Sequence, residues 1–305
     1  MTTAIGTRGQ DSQPRKFGVV SRFAPSPTGP LHLGHAYSAL LAHDFARARG
    51  GTFLLRIEDI DPGRSRPEHV DAIIADIRWL GMRRDRDPVL QSQRLQLYAH
   101  ALERLKALGL VYPCFCTRSA IAAEIAASAA APHPGTGEQL YPGTCRALDE
   151  DERRDRIAAE RHAWRLDVAK ATRMAGPLIW RDHGTSVPAR PKQLGDVVLA
   201  RKDAPTSYHL AVTVDDADQG VTDVVRGRDL FESTHVHRLL QALLDLPTPE
   251  YHHHALLTDS DGVRLAKRSG APSLASLRDK GVDPAELAAN LRAGKLPAEF
   301  RIEHF

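Results

Sequence analysis

Apolar and polar positions change period several times along this chain, and the changes mark its elements. The run "FGVVSRFAP", beginning at Phe17, reads as a strand. "GHAYSALLAHDFARARG" repeats apolar residues at helical spacing and is closed by Gly50 and Gly51, and "GTFLLRIEDID" reads as a second strand. Together they predict a βαβ unit whose loop and helix N-terminus lie in "PTGPLHLGH". Two further helices follow in "RPEHVDAIIADIRWLGM", with Pro67 at its start and Gly81 at its end, and in "SQRLQLYAHALERLKALGL". The stretch "YPCFCTRSAIAAEIAASAAAPHPGTGEQLYPGTC" breaks the alternation and reads as an inserted module. Beyond it, "HAWRLDV" and "DVVLARKDAPTSYHLAVTVDDADQGVTDVVRG" predict short strands, "STHVHRLLQALLDL" a helix, "EYHHHALLT" a strand and "PSLASLRDKGVDPAELAANLRAG" two short helices. No repeat or coiled coil interrupts this β/α alternation, which favours an α/β fold with a Rossmann-like parallel sheet. The expected boundaries are a disordered tail at 1–16, two halves of the α/β domain at 17–113 and 147–245, the insertion at 114–146, and a small helical C-terminal subdomain at 246–305.

Composition narrows the class. With 305 residues, 42% of them hydrophobic, the chain can bury the core of one large or two modest domains. No apolar run approaches the roughly 20 residues of a membrane helix, and the polar first residues hold no signal-peptide core, so no membrane partner and a cytoplasmic location are expected. A formal charge of +3 is compatible with a nucleic-acid partner but too small to argue for one. All three cysteines fall within one short region, and an odd number in a reducing compartment argues against disulfides and toward metal or chance, three buried thiols being the plainer alternative.

The segment "RFAPSPTGPLHLGHAYSAL" carries the strongest chemistry. A helix N-terminus presents unpaired N–H groups and partial positive charge, which suits a polyphosphate. There His32 and His35 offer further donors, and Gly34 permits close approach of a purine or ribose. A proline-rich loop with two surface histidines fits the spacing equally, just as "RLAKR" at 264–268 reads, taken alone, as an exposed basic loop. Cys114 and Cys116 form a C-x-C knuckle and Cys145 returns to it; two thiolates from one turn and further ligands from a distant one suit one tetrahedral Zn²⁺, with a water or His133 as candidates to complete the set.

Taken together, these motifs resemble the glutamyl/glutaminyl branch of the class I aminoacyl-tRNA synthetases. Its "HIGH" signature is matched by His32, Leu33, Gly34 and His35. Its lysine loop, "KMSKS", is matched in order and distance by "RLAKR", where Arg264 and Ala266 replace a lysine and a serine and Lys267 keeps the lysine. The resemblance implies a Rossmann catalytic domain that binds ATP with Mg²⁺ between the two motifs, with His32, His35 and Lys267 catalytic and Gly34 beside the nucleotide. Residues matching "RFAPSPTG", "RIEDID", "YHLAVVVDD" and "RG.D" are implied to surround L-glutamate: Arg22, Ser26, Glu58, Tyr208 and Arg226. Fixed guanidinium groups for two carboxylates and a carboxylate for the ammonium make chemical sense for that amino acid. The histidines at 252–254 then read as structural or as a wall beside ATP, with no metal role, and residues 85–88 as a solvated loop.

A narrower resemblance concerns the short members of this branch that glutamylate the queuosine of tRNA(Asp), a modification of the anticodon rather than charging of a 3′ end. In those proteins a C-x-C pair, a tyrosine and a final cysteine bind structural zinc, which implies Tyr141 as the ligand beside Cys114, Cys116 and Cys145. Only 37 residues follow Arg268, room for two small helices, so an anticodon-binding domain is not expected. Two other readings stay open at this level. One is a truncated glutamyl-tRNA synthetase charging tRNA(Glu); the other is an inactive synthetase-derived module that binds RNA or a nucleotide.

Overall fold

The computed structural model describes residues 18–127, 140–263, 265 and 272–303. The expected tail at 1–16, His133 and the motif residues Arg264, Ala266, Lys267 and Arg268 lie outside them. The first half runs β1 (Val20–Phe23), α1 (Leu33–Arg47), β2 (Thr52–Ile57), α2 (Pro67–Trp79), β3 (Val89–Leu90), α3 (Leu95–Ala107), β4 (Val111–Cys114) and α4 (Arg118–Ala127). After the module come α5 (Glu150–Ala159), β5 (Ala163–Leu166), α6 (Val168–Ala175), β6 (Ile179–Asp182), β7 (Thr185–Pro188), β8 (Val198–Ala200), α7 (Tyr208–Asp218), β9 (Asp223–Gly227) and α8 (Phe231–Leu243). The chain then ends in β10 (Glu250–His254), β11 (Leu256–Asp259), α9 (Leu274–Asp279), α10 (Pro284–Arg292) and β12 (Phe300–Glu303).

Strands β1, β2 and β3 pair in parallel, with Arg22 opposite Leu54 and Ile57 opposite Leu90. A second sheet has the order β7, β6, β10, β9; β10 is parallel to both neighbours, and Arg226 faces His253 across it. Thr222, just before β9, joins the two: its amide donates to the Val20 carbonyl at 3.0 Å and its hydroxyl accepts from the Val20 amide at 2.8 Å. The chain therefore leaves β1 in one direction and β9 in the other. Such a topological switch opens a crevice at the carboxyl ends of the strands, where Rossmann-like folds bind ligands.

Helix α1 covers this junction. Ala36, Ala39, Ala42 and Ala46 are fully buried, so its backbone lies close against the sheet, where Leu40 meets Phe53, Leu55 and Ile57. On its other side the C-terminal helices brace the loop that carries the histidines. The Leu274 amide donates to the Leu31 carbonyl at 2.8 Å, Arg278 pairs with the fully buried Asp76 at 2.8 Å, and Arg292 pairs with Asp44 at 2.6 Å. A separate core packs α3, α7 and α8 through Tyr98, Leu105, Leu210, Leu239 and Leu240.

One expectation is corrected. "YHLAVTVDDAD", expected as strand, is helix α7. Its valines suggest strand period, yet both of its faces are buried, including Asp215 and Asp216. Buried carboxylates need fixed partners, and the arginines of β1 and β2, with Arg94 just before α3, supply them, so tertiary contact overrides the β propensity of the valines. The cysteine module likewise grows from a sheet: Cys114 closes β4, which pairs antiparallel with β5, itself paired with β8.

Candidate functional site

One cavity of about 420 Å³ opens at the switch point, a size ordinary for a small-molecule site. Arg22, Ser26, His32, Gly34, His35, Glu58, Tyr208 and Arg226 all line it, so residues expected to act together from separate motifs do meet. Leu265, two positions before Lys267, also lines it.

The two histidines cap the helix they open. His32 is the N-cap of α1, and its Nδ1 accepts from the Gly34 amide at 3.1 Å; in return the His35 Nδ1 accepts from the His32 amide at 3.2 Å. This is a capping box built from two imidazoles in place of a hydroxyl and a carboxylate. Because each Nδ1 is an acceptor, each neutral ring carries its proton on Nε2, which fixes both tautomers before any ligand arrives. The rings lie 3.9 Å apart between centroids. A Cβ on Gly34 would sit 3.1 Å from the His32 Cε1, so the capping ring of His32 would have to shift by a few tenths of an ångström to admit a side chain there. At Gly227, too, a side chain would collide with Asp229 and Leu256 where β9 meets the cavity.

A buried charge network stands behind the other end of the cavity. Arg22 holds Asp216 through Nε at 3.0 Å and Nη2 at 3.4 Å. The wholly buried Arg56 donates to Asp216 at 2.7 Å, to Gln219 at 3.0 Å and to Glu58 at 3.4 Å, and its Nε lies 3.8 Å from Asp215. Asp215 in turn accepts from Arg94, Gln91 and Tyr98, each at 2.8 Å. Burial would raise the Asp216 carboxyl, but the charges of Arg22 and Arg56 outweigh it and bring it below the usual range. For Glu58 the balance goes the other way: burial raises its carboxyl, and Arg56 and Arg22 only partly oppose it.

Arg226 stands outside this network. Its Nε donates to His253 at 3.2 Å, Nη1 to the Tyr208 hydroxyl at 3.2 Å, and Nη2 to Thr234 at 2.6 Å and to the Leu230 carbonyl at 3.1 Å; His237 Nδ1 lies 3.5 Å from Nη1. None of these partners is a carboxylate. Burial pushes the Tyr208 hydroxyl up to about 12, so it is un-ionised at neutral pH. Of the three consecutive histidines, His252 bonds Asp223 at 3.0 Å, His253 supports Arg226, and His254 lines the cavity with its Nε2 3.0 Å from the Ser38 hydroxyl.

The cysteine module forms a second centre. The sulfurs of Cys114, Cys116 and Cys145 all lie within 4.8 Å of one another, with 3.4 Å between Cys116 and Cys145. The Tyr141 hydroxyl lies 3.6 Å from the Cys116 sulfur. Three thiols and a phenol oxygen converging in this way suit a tetrahedral metal ion, whose thiolate ligands sit about 2.3 Å from it. Arg165 stacks 3.9 Å over the Tyr141 ring.

Motif reading missed Arg56, Asp215, Asp216 and Arg94, as well as the acceptors around Arg226. One signal was available: an arginine inside the apolar strand "TFLLRI" cannot be buried alone, so carboxylates had to be sought elsewhere, and "VDD" offers two.

Comparison with known proteins follows the same lines. The family described as tRNA synthetases class I (E and Q), catalytic domain, matches residues 18–299. A glutamyl-Q tRNA(Asp) synthetase of Rhodobacter capsulatus is 48% identical over 276 residues, 88% of this chain and 98% of that protein. One from Symbiobacterium thermophilum is 45% identical over 90% of this chain and 85% of its own length. Among solved structures, a glutamate-tRNA synthetase from Elizabethkingia anophelis superposes with a TM-score of 0.74 at 28% identity, over 92% of this chain. A glutamate tRNA ligase from Elizabethkingia meningosepticum, in complex with its amino acid, gives 0.70 at 28% identity. The present chain spans 63% and 59% of those two chains.

Removing the centre of the charge network is expected to be costly. Arg56→Met leaves the carboxylates of Glu58, Asp215 and Asp216 without it and is expected to destabilise the fold by about 3–5 kcal/mol, read from the urea midpoint. A loss below about 1 kcal/mol would show that the network does not depend on Arg56.

Proposed function

This chain belongs to the catalytic-domain family of the class I tRNA synthetases (E and Q), and on that premise we propose that it activates L-glutamate with ATP and transfers it to the queuosine of tRNA(Asp). The observation that carries the reading is the meeting of an uncompensated buried arginine, Arg226, with Arg22, Glu58 and Tyr208 in the cavity that the imidazole-capped helix also lines. Arg22, Arg56 and Arg94 are paired with Glu58, Asp215, Asp216 and Asp218. Arg226 has no carboxylate among its hydrogen-bond partners, and glutamate brings a side-chain carboxylate that can pair with it. Glutamine brings none.

In the first step a glutamate α-carboxylate oxygen attacks the α-phosphorus of ATP, the bond to the β-phosphate bridging oxygen breaks, and pyrophosphate leaves. The protein mainly positions the groups and stabilises developing charge. Glu58 takes the ammonium, Arg22 and Arg226 take carboxylates, and Ser26 and Tyr208 add hydrogen bonds. His32 and His35 present Nε2–H donors at the α1 N-terminus for phosphate oxygens, beside Gly34. Lys267, proposed from the sequence alone, acts on the same phosphates, and Mg²⁺ enters with ATP to neutralise them. A hydroxyl of the queuosine cyclopentenediol then attacks the acyl carbon, and AMP leaves.

Structural Zn²⁺ held by Cys114, Cys116, Tyr141 and Cys145 is part of the proposal, supported by the convergence of those four groups. So are the domain limits expected from the sequence and a place in the cytoplasm, where ATP and tRNA are found. None of the described helices is long and apolar enough to cross a membrane.

Glutamate-dependent exchange of pyrophosphate into ATP is expected without tRNA, and labelled glutamate is expected to pass to queuosine-containing tRNA(Asp) but not to queuosine-free tRNA(Asp) or to tRNA(Glu). Labelling of tRNA(Glu) alone would assign a charging role instead, and absence of exchange would leave only a binding module. On the acid side, Glu58 keeps its proton up to a higher pH than an ordinary carboxyl. The value of kcat/KM for glutamate should therefore fall, as pH drops, through an apparent pKa above about 4.3. In Glu58→Gln that limb should vanish and kcat/KM at neutral pH should drop about 10- to 100-fold; an unmoved limb would assign it to another group. Elemental analysis is expected to find about one zinc per wild-type chain and much less in Cys145→Ser. Equal contents would remove Cys145 from the site.

A further inference from the structure

The side of Arg226 away from the open cavity is lined by groups outside the set implied to surround glutamate. Thr234 and His237 come from α8, His209 from α7, and His253 from β10. His237 Nδ1 faces Nη1 of Arg226 at 3.5 Å, and its Nε2 lies 3.2 Å from the His209 Nδ1. His253 Nε2 accepts from the Arg226 Nε at 3.2 Å, and its Nδ1 lies 3.0 Å from Asp182. Proton positions follow from the arginine, which has only donors: the facing nitrogens of His237 and His253 must accept, so His237 carries its proton on Nε2 toward His209, and His253 on Nδ1 toward Asp182. With Thr234, the Leu230 carbonyl and the Tyr208 hydroxyl, the five N–H groups of the guanidinium are each directed at an uncharged acceptor.

Resting on the glutamate reading above, we propose that His237, with His253 and Thr234, is a positioning residue for glutamate binding: these neutral acceptors hold the Arg226 guanidinium in place without neutralising it, which keeps its whole charge for a substrate carboxylate. The contrast within the same cavity supports this. Arg22 is held by the carboxylate of Asp216, while Arg226, equally buried, is held only by neutral groups. A carboxylate is the ordinary partner of a buried guanidinium and would bind it more strongly than an imidazole does. Its replacement by imidazole and hydroxyl is a choice that makes sense for a cation whose partner arrives from solution. An incoming carboxylate oxygen has then only to displace the Tyr208 hydroxyl from Nη1, trading a neutral hydrogen bond for a charge-assisted one. Burial keeps the imidazoles in the required state: it lowers His209 and His253 to about 4 and lowers His237 well below its ordinary value.

The test compares His237→Gln, which keeps a neutral acceptor, with His237→Asp, which supplies a carboxylate to Arg226. Glutamate affinity is read by calorimetry and as KM in pyrophosphate exchange, and ATP affinity is read separately. His237→Asp is expected to weaken glutamate binding about 10- to 100-fold more than His237→Gln does, with the KM for ATP alike in both. A thermal melt shows whether each variant is folded. Thr234→Val, which removes one neutral acceptor without adding charge, is expected to raise the glutamate KM several-fold and to leave that for ATP in place, so the idea stays testable if the aspartate variant fails to fold. If the wild type binds glutamate and the Asp and Gln variants bind it equally, or if both substrates weaken together, this inference falls and the glutamate reading stands. If the wild type binds no glutamate, both fall.

Discussion

The buried charge network at one end of the cavity hangs on one guanidinium. Arg56 sits near the end of β2 with no exposed surface, in contact with Glu58 just beyond that strand and with Asp215 and Asp216 from α7. Ions taken out of water are tolerated only when their partners are fixed and their remaining hydrogen bonds are met. That requirement locks α7 against β2 and sets Asp216 where it can grip Arg22 at the end of β1. With these partners fixed, the side chains of the network are held in place before any ligand arrives.

Against this neutralised background, the two features left for ligands stand out. At one end is Arg226, held by groups without charge. At the other is the α1 N-terminus, where two imidazoles cap the helix through Nδ1 and so present Nε2 as the remaining donor. The first suits a carboxylate and the second a polyphosphate, and the β1/β9 switch point sets them in one cavity. Bringing two anions together is the difficulty of carboxylate activation by ATP, and here each anion has its own preformed cationic or dipolar end.

Much of this was legible along the chain. Strand, turn and helix around His32 follow from local periodicity, and the residues that line the cavity come from strand ends and helix starts that carry recognisable short motifs. The cysteine cluster was legible for a similar reason: thiols so few and so close in sequence have few other uses. What was hidden were groups whose role depends on a distant partner. Arg56 and Asp216 are 160 positions apart, and nothing local to "VDD" says that both of its carboxylates are buried. The same blindness turned α7 into a strand, since its valines satisfy a strand pattern and only the arginines behind it justify burying its other face.

Sequence by itself determined the α/β alternation, the loop that begins α1, the residue types at the cavity and the clustering of the cysteines. Tertiary structure alone decided which of the charges are compensated and which is left over, and that the histidines around Arg226 are acceptors rather than cations. The reason is physical. Periodicity records which side of an element meets the core, whereas desolvation and Coulomb interaction depend on distances between elements that only the folded chain brings together.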